Sequence, residues 1–104
     1  MSQNITGTFA GSAGATSRNQ LSATLVIPSG VTTARLNLSG QIDTNNRVTT
    51  MKSTNNGYSW TAQATYNAAQ TNVAITVAHG EHWQFLAFTA EAGKVVNYSL
   101  SVES

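Results

Sequence analysis

Ser53-Thr-Asn-Asn-Gly-Tyr-Ser-Trp-Thr-Ala-Gln-Ala-Thr-Tyr66 is the stretch whose reading sets the fold class. Asn56-Gly57 is a strong hairpin signal, because a tight two-residue turn needs positive φ at both central positions and these residues tolerate it. The residues that follow alternate. Tyr58, Trp60, Ala62, Ala64 and Tyr66 point one way; Ser59, Thr61, Gln63 and Thr65 point the other. A strand has two faces and a side-chain period of two. The segment Tyr58–Tyr66 therefore reads as a strand with an aromatic-rich inward face and a hydroxyl-rich outward face.

Working outward, Arg47 to Ser53 is the expected partner across the Asn-Gly turn. Downstream, Asn72 to Ala78 places Val73, Ile75 and Val77 inward. His82 to Thr89 is apolar on both sides, Trp83, Phe85 and Ala87 against Leu86 and Phe88. Such a run marks a central strand or one covered by a neighbouring subunit. Val95 to Val102 aligns Val96, Tyr98, Leu100 and Val102 after an Ala90–Gly93 turn. Upstream, Asn4 to Phe9 sets Ile5 and Phe9 on one face, and Gly11 to Ser17 is a loop of small residues. Leu21 to Ile27 aligns Leu21, Ala23, Leu25 and Ile27; Val31 to Leu38 aligns Ala34, Leu36 and Leu38. Pro28-Ser-Gly30 is a turn, and Asp43 to Asn46 a longer connection. About eight short strands at this spacing, with no helical period, predict an all-β fold: a two-layer antiparallel β-sandwich or jelly roll. Residues 1–104 make one domain.

Composition narrows the function classes. Charged residues are 9% of the chain, against roughly 25% in ordinary soluble domains. The formal net charge of +1 offers no electrostatic footprint for nucleic acid or an anionic membrane. With no cysteine, thiolate metal sites, iron–sulfur clusters, disulfides and cysteine nucleophiles are excluded. No apolar run approaches the roughly 20 residues of a membrane helix. Met-Ser-Gln-Asn lacks a basic region followed by an apolar run, so no signal peptide is expected.

Candidate chemistry is sparse. The four carboxylates are Asp43, Glu81, Glu91 and Glu103. Only Glu81 and Glu91 are close in sequence, and they flank a hairpin as solvated turn charges do. His79-Gly-Glu-His82 has zinc-ligand residue types, but a turn does not force them to converge as an i,i+4 helical pair does. It reads as a polar turn entering a strand. No nucleophile elbow and no phosphate cradle are present. The expectation is a non-enzyme without metal or cofactor. Tyr58, Trp60, Tyr66 and Trp83 would pack the core, or, in an alternative carbohydrate-binding module or lectin, stack on sugar rings. On His82–Thr89 the second face is His82, Gln84, Leu86 and Phe88. Leu86 and Phe88 need a cover, which predicts a homo-oligomer or capsid-bound subunit with Leu86, Phe88 and His82 at or beside the contact.

Ser53-Thr-Asn-Asn-Gly-Tyr-Ser-Trp60 resembles the Ser-x-Asp-x-Gly-x-Thr-Trp hairpin, the Asp-box of sialidases and related β proteins, with asparagine where the acid stands. Thr6-Gly-Thr-Phe9 and Gly80 to Ser101, a Trp-x-Phe strand, a Gly turn and a Val-x-Tyr-x-Leu-Ser strand, resemble small β-sandwich virion proteins of tailed bacteriophages. That resemblance implies a head-decoration, cement or fibre-base protein, assembled in the host cytoplasm into the virion. Its partners would be itself, as a trimer or around a capsid symmetry axis, and a major capsid or other virion protein. A glycan is the ligand of the alternative reading.

Overall fold

The computed structural model describes residues 4–10, 19–43, 46–89 and 95–103. The expected Gly11–Ser17 loop, the Ala90–Gly93 turn and part of the Asp43–Asn46 connection lie outside these residues. Among them the strands are β1 (Asn4–Ala10), β2 (Asn19–Leu21), β3 (Leu25–Val26), β4 (Thr33–Gly40), β5 (Asn46–Ser53), β6 (Thr61–Tyr66), β7 (Gln70–Thr76), β8 (His82–Thr89) and β9 (Val95–Glu103).

They form two antiparallel sheets. One runs β1-β9-β4-β7; the other runs β2-β8-β5-β6, with β3 following β2 along the same edge of β8. Counting β2 and β3 as one interrupted strand, the pairs nest: first with last, second with second-last, β4 with β7, β5 with β6. Two further ladders, β4 with β9 and β5 with β8, stitch the nest into two layers. This is a hairpin rolled on itself, the jelly roll. The expected all-β sandwich is the fold observed.

Alternation explains most of the core. Ala34, Leu36 and Leu38 of β4, Val96, Leu100 and Val102 of β9, Ile5 and Phe9 of β1, and Trp83, Phe85 and Ala87 of β8 are buried between the sheets. Tyr98 completes the row on β9, its ring stacked on Phe9 at 4.6 Å and tilted against Phe85 at 5.1 Å. Offset and tilted pairs at these separations suit the aromatic quadrupole.

Two expected strands differ, each because of an irregular backbone. Leu21 and Leu25 were expected to share a face. Leu21 pairs with Leu86, but Leu25 pairs with Trp83, so four steps on one strand match three on the other. The extra residue reverses the alternation. Leu25 and Ile27 are buried, whereas Leu21 faces outward and is 62% exposed. Ser22 secures the irregularity: its amide donates to Phe85 O at 3.0 Å, and its hydroxyl accepts from Phe85 N at 2.8 Å.

The opening stretch differs more. Asn56 and Gly57 do have positive φ, 61° and 86°. However, the last β5–β6 pair is Lys52 with Thr61, so residues 54–60 form a long loop and the strand begins at Thr61 rather than Tyr58. Within β6, Thr50 pairs with Ala64 and Met51 with Ala62, which leaves Gln63 as a bulge. The bulge inverts the face, so Ala62 sides with Met51 on the outside while Tyr66 packs against the core. Tyr58 is 90% exposed.

Candidate functional site

The outer face of the five-stranded sheet is the part of the molecule whose side chains exceed what folding requires. Directly opposed residues of antiparallel strands share a face. Leu21, Leu86, Thr49 and Thr65 therefore form one cross-strand row, with Phe88 beside Arg47 in the next. Met51 lies beside Gln84, and Val26 beside His82. The Arg47 guanidinium carbon sits 4.3 Å from the Phe88 ring centroid. That is close enough for cation–π attraction, and it covers one side of the ring. Thr49 and Thr65 hydroxyls bond at 2.9 Å. Leu86 and Phe88 are half-buried by these neighbours and stand outside the core cluster, while Leu21 and Val26 are open to solvent. The sequence alone marked Leu86, Phe88 and His82. It missed Leu21, Val26 and Arg47, which only the register brings beside them.

The loop at residues 54–60, held by Ser53 at the end of β5, closes one end of this face. Ser53 opposes His82 and is buried. Its hydroxyl accepts from Gly57 N at 2.8 Å and Asn55 N at 3.3 Å, and donates to Asn55 Oδ1 at 2.8 Å. Asn55 Oδ1 also accepts from Ser59 N at 3.0 Å, and its Nδ2 donates to Ser59 Oγ at 2.8 Å. Asn55 thus ties the loop start to its end. A methyl group on Gly57 would lie 3.6 Å from Trp60 Cζ2 and 3.8 Å from His82 Nδ1, so the glycine lies beside both rings. The loop presents Tyr58 to solvent.

The four aromatics named from sequence do not make one platform. Trp83 is 2% exposed, with its indole N–H donated to Glu81 Oε1 at 3.1 Å. Tyr66 packs on the core, Trp60 is half-buried, and only Tyr58 stands free of the surface.

Glu81 is committed to structure. Its Oε1 also accepts from Ala78 N at 2.8 Å, and its Oε2 lies 3.5 Å from Lys52 Nζ. His79 is exposed, and His82 belongs to the outer face. Among the described residues no group of three or more His, Cys, Asp or Glu is placed to hold a metal ion. On the opposite sheet a shallow depression of about 150 Å³ is lined by Asn37, Ser39, Asn97, Tyr98 and Ser99. Its amides and hydroxyls include no acid, base or nucleophile arrangement. Among the described residues no helix is long and apolar enough to cross a membrane.

No family model, curated protein or solved structure matches the chain.

Proposed function

We propose that this chain is a non-enzymatic structural component of a bacteriophage particle, a capsid decoration, cement or related virion protein that acts through protein–protein contacts. One observation supports it most. The two sheets bury a complete core between them, yet the outer face of the five-stranded sheet carries Leu21, Val26, Leu86 and Phe88 beside Arg47. An apolar centre with an arginine and few other charges is the composition of a subunit contact. Large apolar patches on monomers are uncommon. The jelly roll serves viral capsid proteins and lectins alike, so the fold gives an analogy, and it is the outer face that supports the role. The resemblance of Thr6–Phe9 and Gly80–Ser101 to small virion proteins points the same way. The proposed contact is with further copies of the chain and with a major capsid or other virion protein, in the assembled virion.

A carbohydrate-binding function has one observation in its favour, the 90% exposed Tyr58 on a hydrogen-bonded loop. The experiment is peptide quantification by mass spectrometry across a density gradient of particles from the source culture, with a glycan array in parallel. The virion function predicts the chain at fixed stoichiometry in the particle peak. A chain absent from particles that binds glycans, with loss of binding in Tyr58→Ala, would establish the alternative.

A further inference from the structure

The loop that closes the outer face carries a reactive dipeptide that plays no part in the proposed contact. Asparagine followed by glycine can cyclise. The glycine amide nitrogen, having lost its proton to solvent base, attacks the asparagine Cγ. A C–N bond forms, the Cγ–Nδ2 bond breaks, and ammonia leaves after taking a proton from solvent. Water then opens the succinimide at either carbonyl, giving aspartate or isoaspartate. No oxidant or cofactor is required. Glycine permits this because it has no Cβ to obstruct the ring.

We propose that Asn56 is a site of spontaneous deamidation whose rate is set by the Ser53 hydroxyl. Asn56 is exposed, so water and base reach it. Gly57 N, the attacking atom, donates its hydrogen to Ser53 Oγ at 2.8 Å. Ser53 is 1% exposed and is held in turn by Asn55 Oδ1 at 2.8 Å. Asn56 and Gly57 are both left-handed, at φ 61° and 86°. Ring closure must turn Gly57 N toward Cγ, which pulls it off Ser53. The reaction therefore waits for the loop to open locally. The product removes the formal net charge of +1. Isoaspartate also lengthens the backbone by one atom inside a loop whose ends are tied through Asn55 and Ser59.

The test follows residue 56 by peptide-resolved mass spectrometry during incubation of the folded chain at mildly alkaline pH. Three samples are compared: the native chain, Ser53→Ala, and a synthetic peptide of residues 50–62. Local opening against a closed loop predicts a native rate roughly tenfold or more below that of the peptide. Ser53→Ala should return most of the difference while keeping its β circular dichroism. A native rate equal to the peptide's, or a folded Ser53→Ala no faster than the native chain, overturns the proposal. If Ser53→Ala does not fold, Ser53→Thr, which keeps the hydroxyl, decides: it must stay as slow as the native chain, and acceleration there refutes the role of the hydroxyl.

Discussion

Gly7→Ala tests how the core is assembled. Gly7 pairs with Tyr98 across the β1–β9 ladder, and the Tyr98 ring lies over the space a side chain would fill. A Cβ built at residue 7 would overlap Tyr98 Oη and approach its Cζ to 2.8 Å. The ring cannot simply swing aside, because it is stacked on Phe9 and tilted against Phe85. Overpacking of this kind costs about 1–3 kcal/mol. Each disturbed aromatic pair adds up to about 1 kcal/mol. Replacing a strand glycine returns about 0.5–1 kcal/mol of backbone entropy. The net is a loss of about 2 kcal/mol, or about 8–16 °C in Tm for a domain of this size. Thermal denaturation followed by circular dichroism measures it. The control is the Tyr98→Leu background, where the same substitution should become neutral or stabilising, as expected for coupled neighbours. An unchanged or raised Tm for Gly7→Ala alone would refute the placement of Tyr98.

Four further outcomes follow from the loop and its surroundings. Asn55→Asp should hold or raise stability by about 0.5–1 kcal/mol, since a carboxylate accepts the Ser53 Oγ and Ser59 N bonds with charge assistance and the Ser59 hydroxyl can turn to donate where it now accepts from Nδ2; Asn55→Ala should lose about 1–2 kcal/mol, both read from denaturant melts. Gly57→Val places a β-branched residue at φ 86° and should cost on the order of 1–2 kcal/mol or more, so an unchanged Tm would contradict the turn. Glu81→Ala strands the Trp83 indole N–H, with Trp83 only 2% exposed, and should cost about 1–3 kcal/mol with a shift in tryptophan fluorescence.

The regular strands were legible in the sequence. Ala34, Leu36 and Leu38 alternate with polar residues and are buried, as are Val96, Leu100 and Val102, because an unbroken ladder keeps period two from end to end. What escaped is where the ladder slips. One extra residue between Leu21 and Leu25 turned an expected core leucine outward, and the Gln63 bulge did the same to Ala62. Nothing in Ser22-Ala-Thr24 announces a bulge, since the hydrogen bonds that hold it come from Phe85, far along the chain. The nested strand order is likewise a matter of long-range pairing that local pattern does not encode. Half of the outer face was visible in Leu86 and Phe88. The other half, Leu21, Val26 and Arg47, is assembled by register.

Light scattering of the purified chain across a concentration series, with Phe88→Ser alongside, tests the assembly claim most directly. Phe88 lies outside the core cluster, and its loss removes a cation–π contact of about 0.5–1 kcal/mol, so the variant should keep its β spectrum. The expected native mass is that of two or more chains, and the expected Phe88→Ser mass that of one. A native chain that stays monomeric at every concentration, and does not bind purified particle proteins, would contradict it.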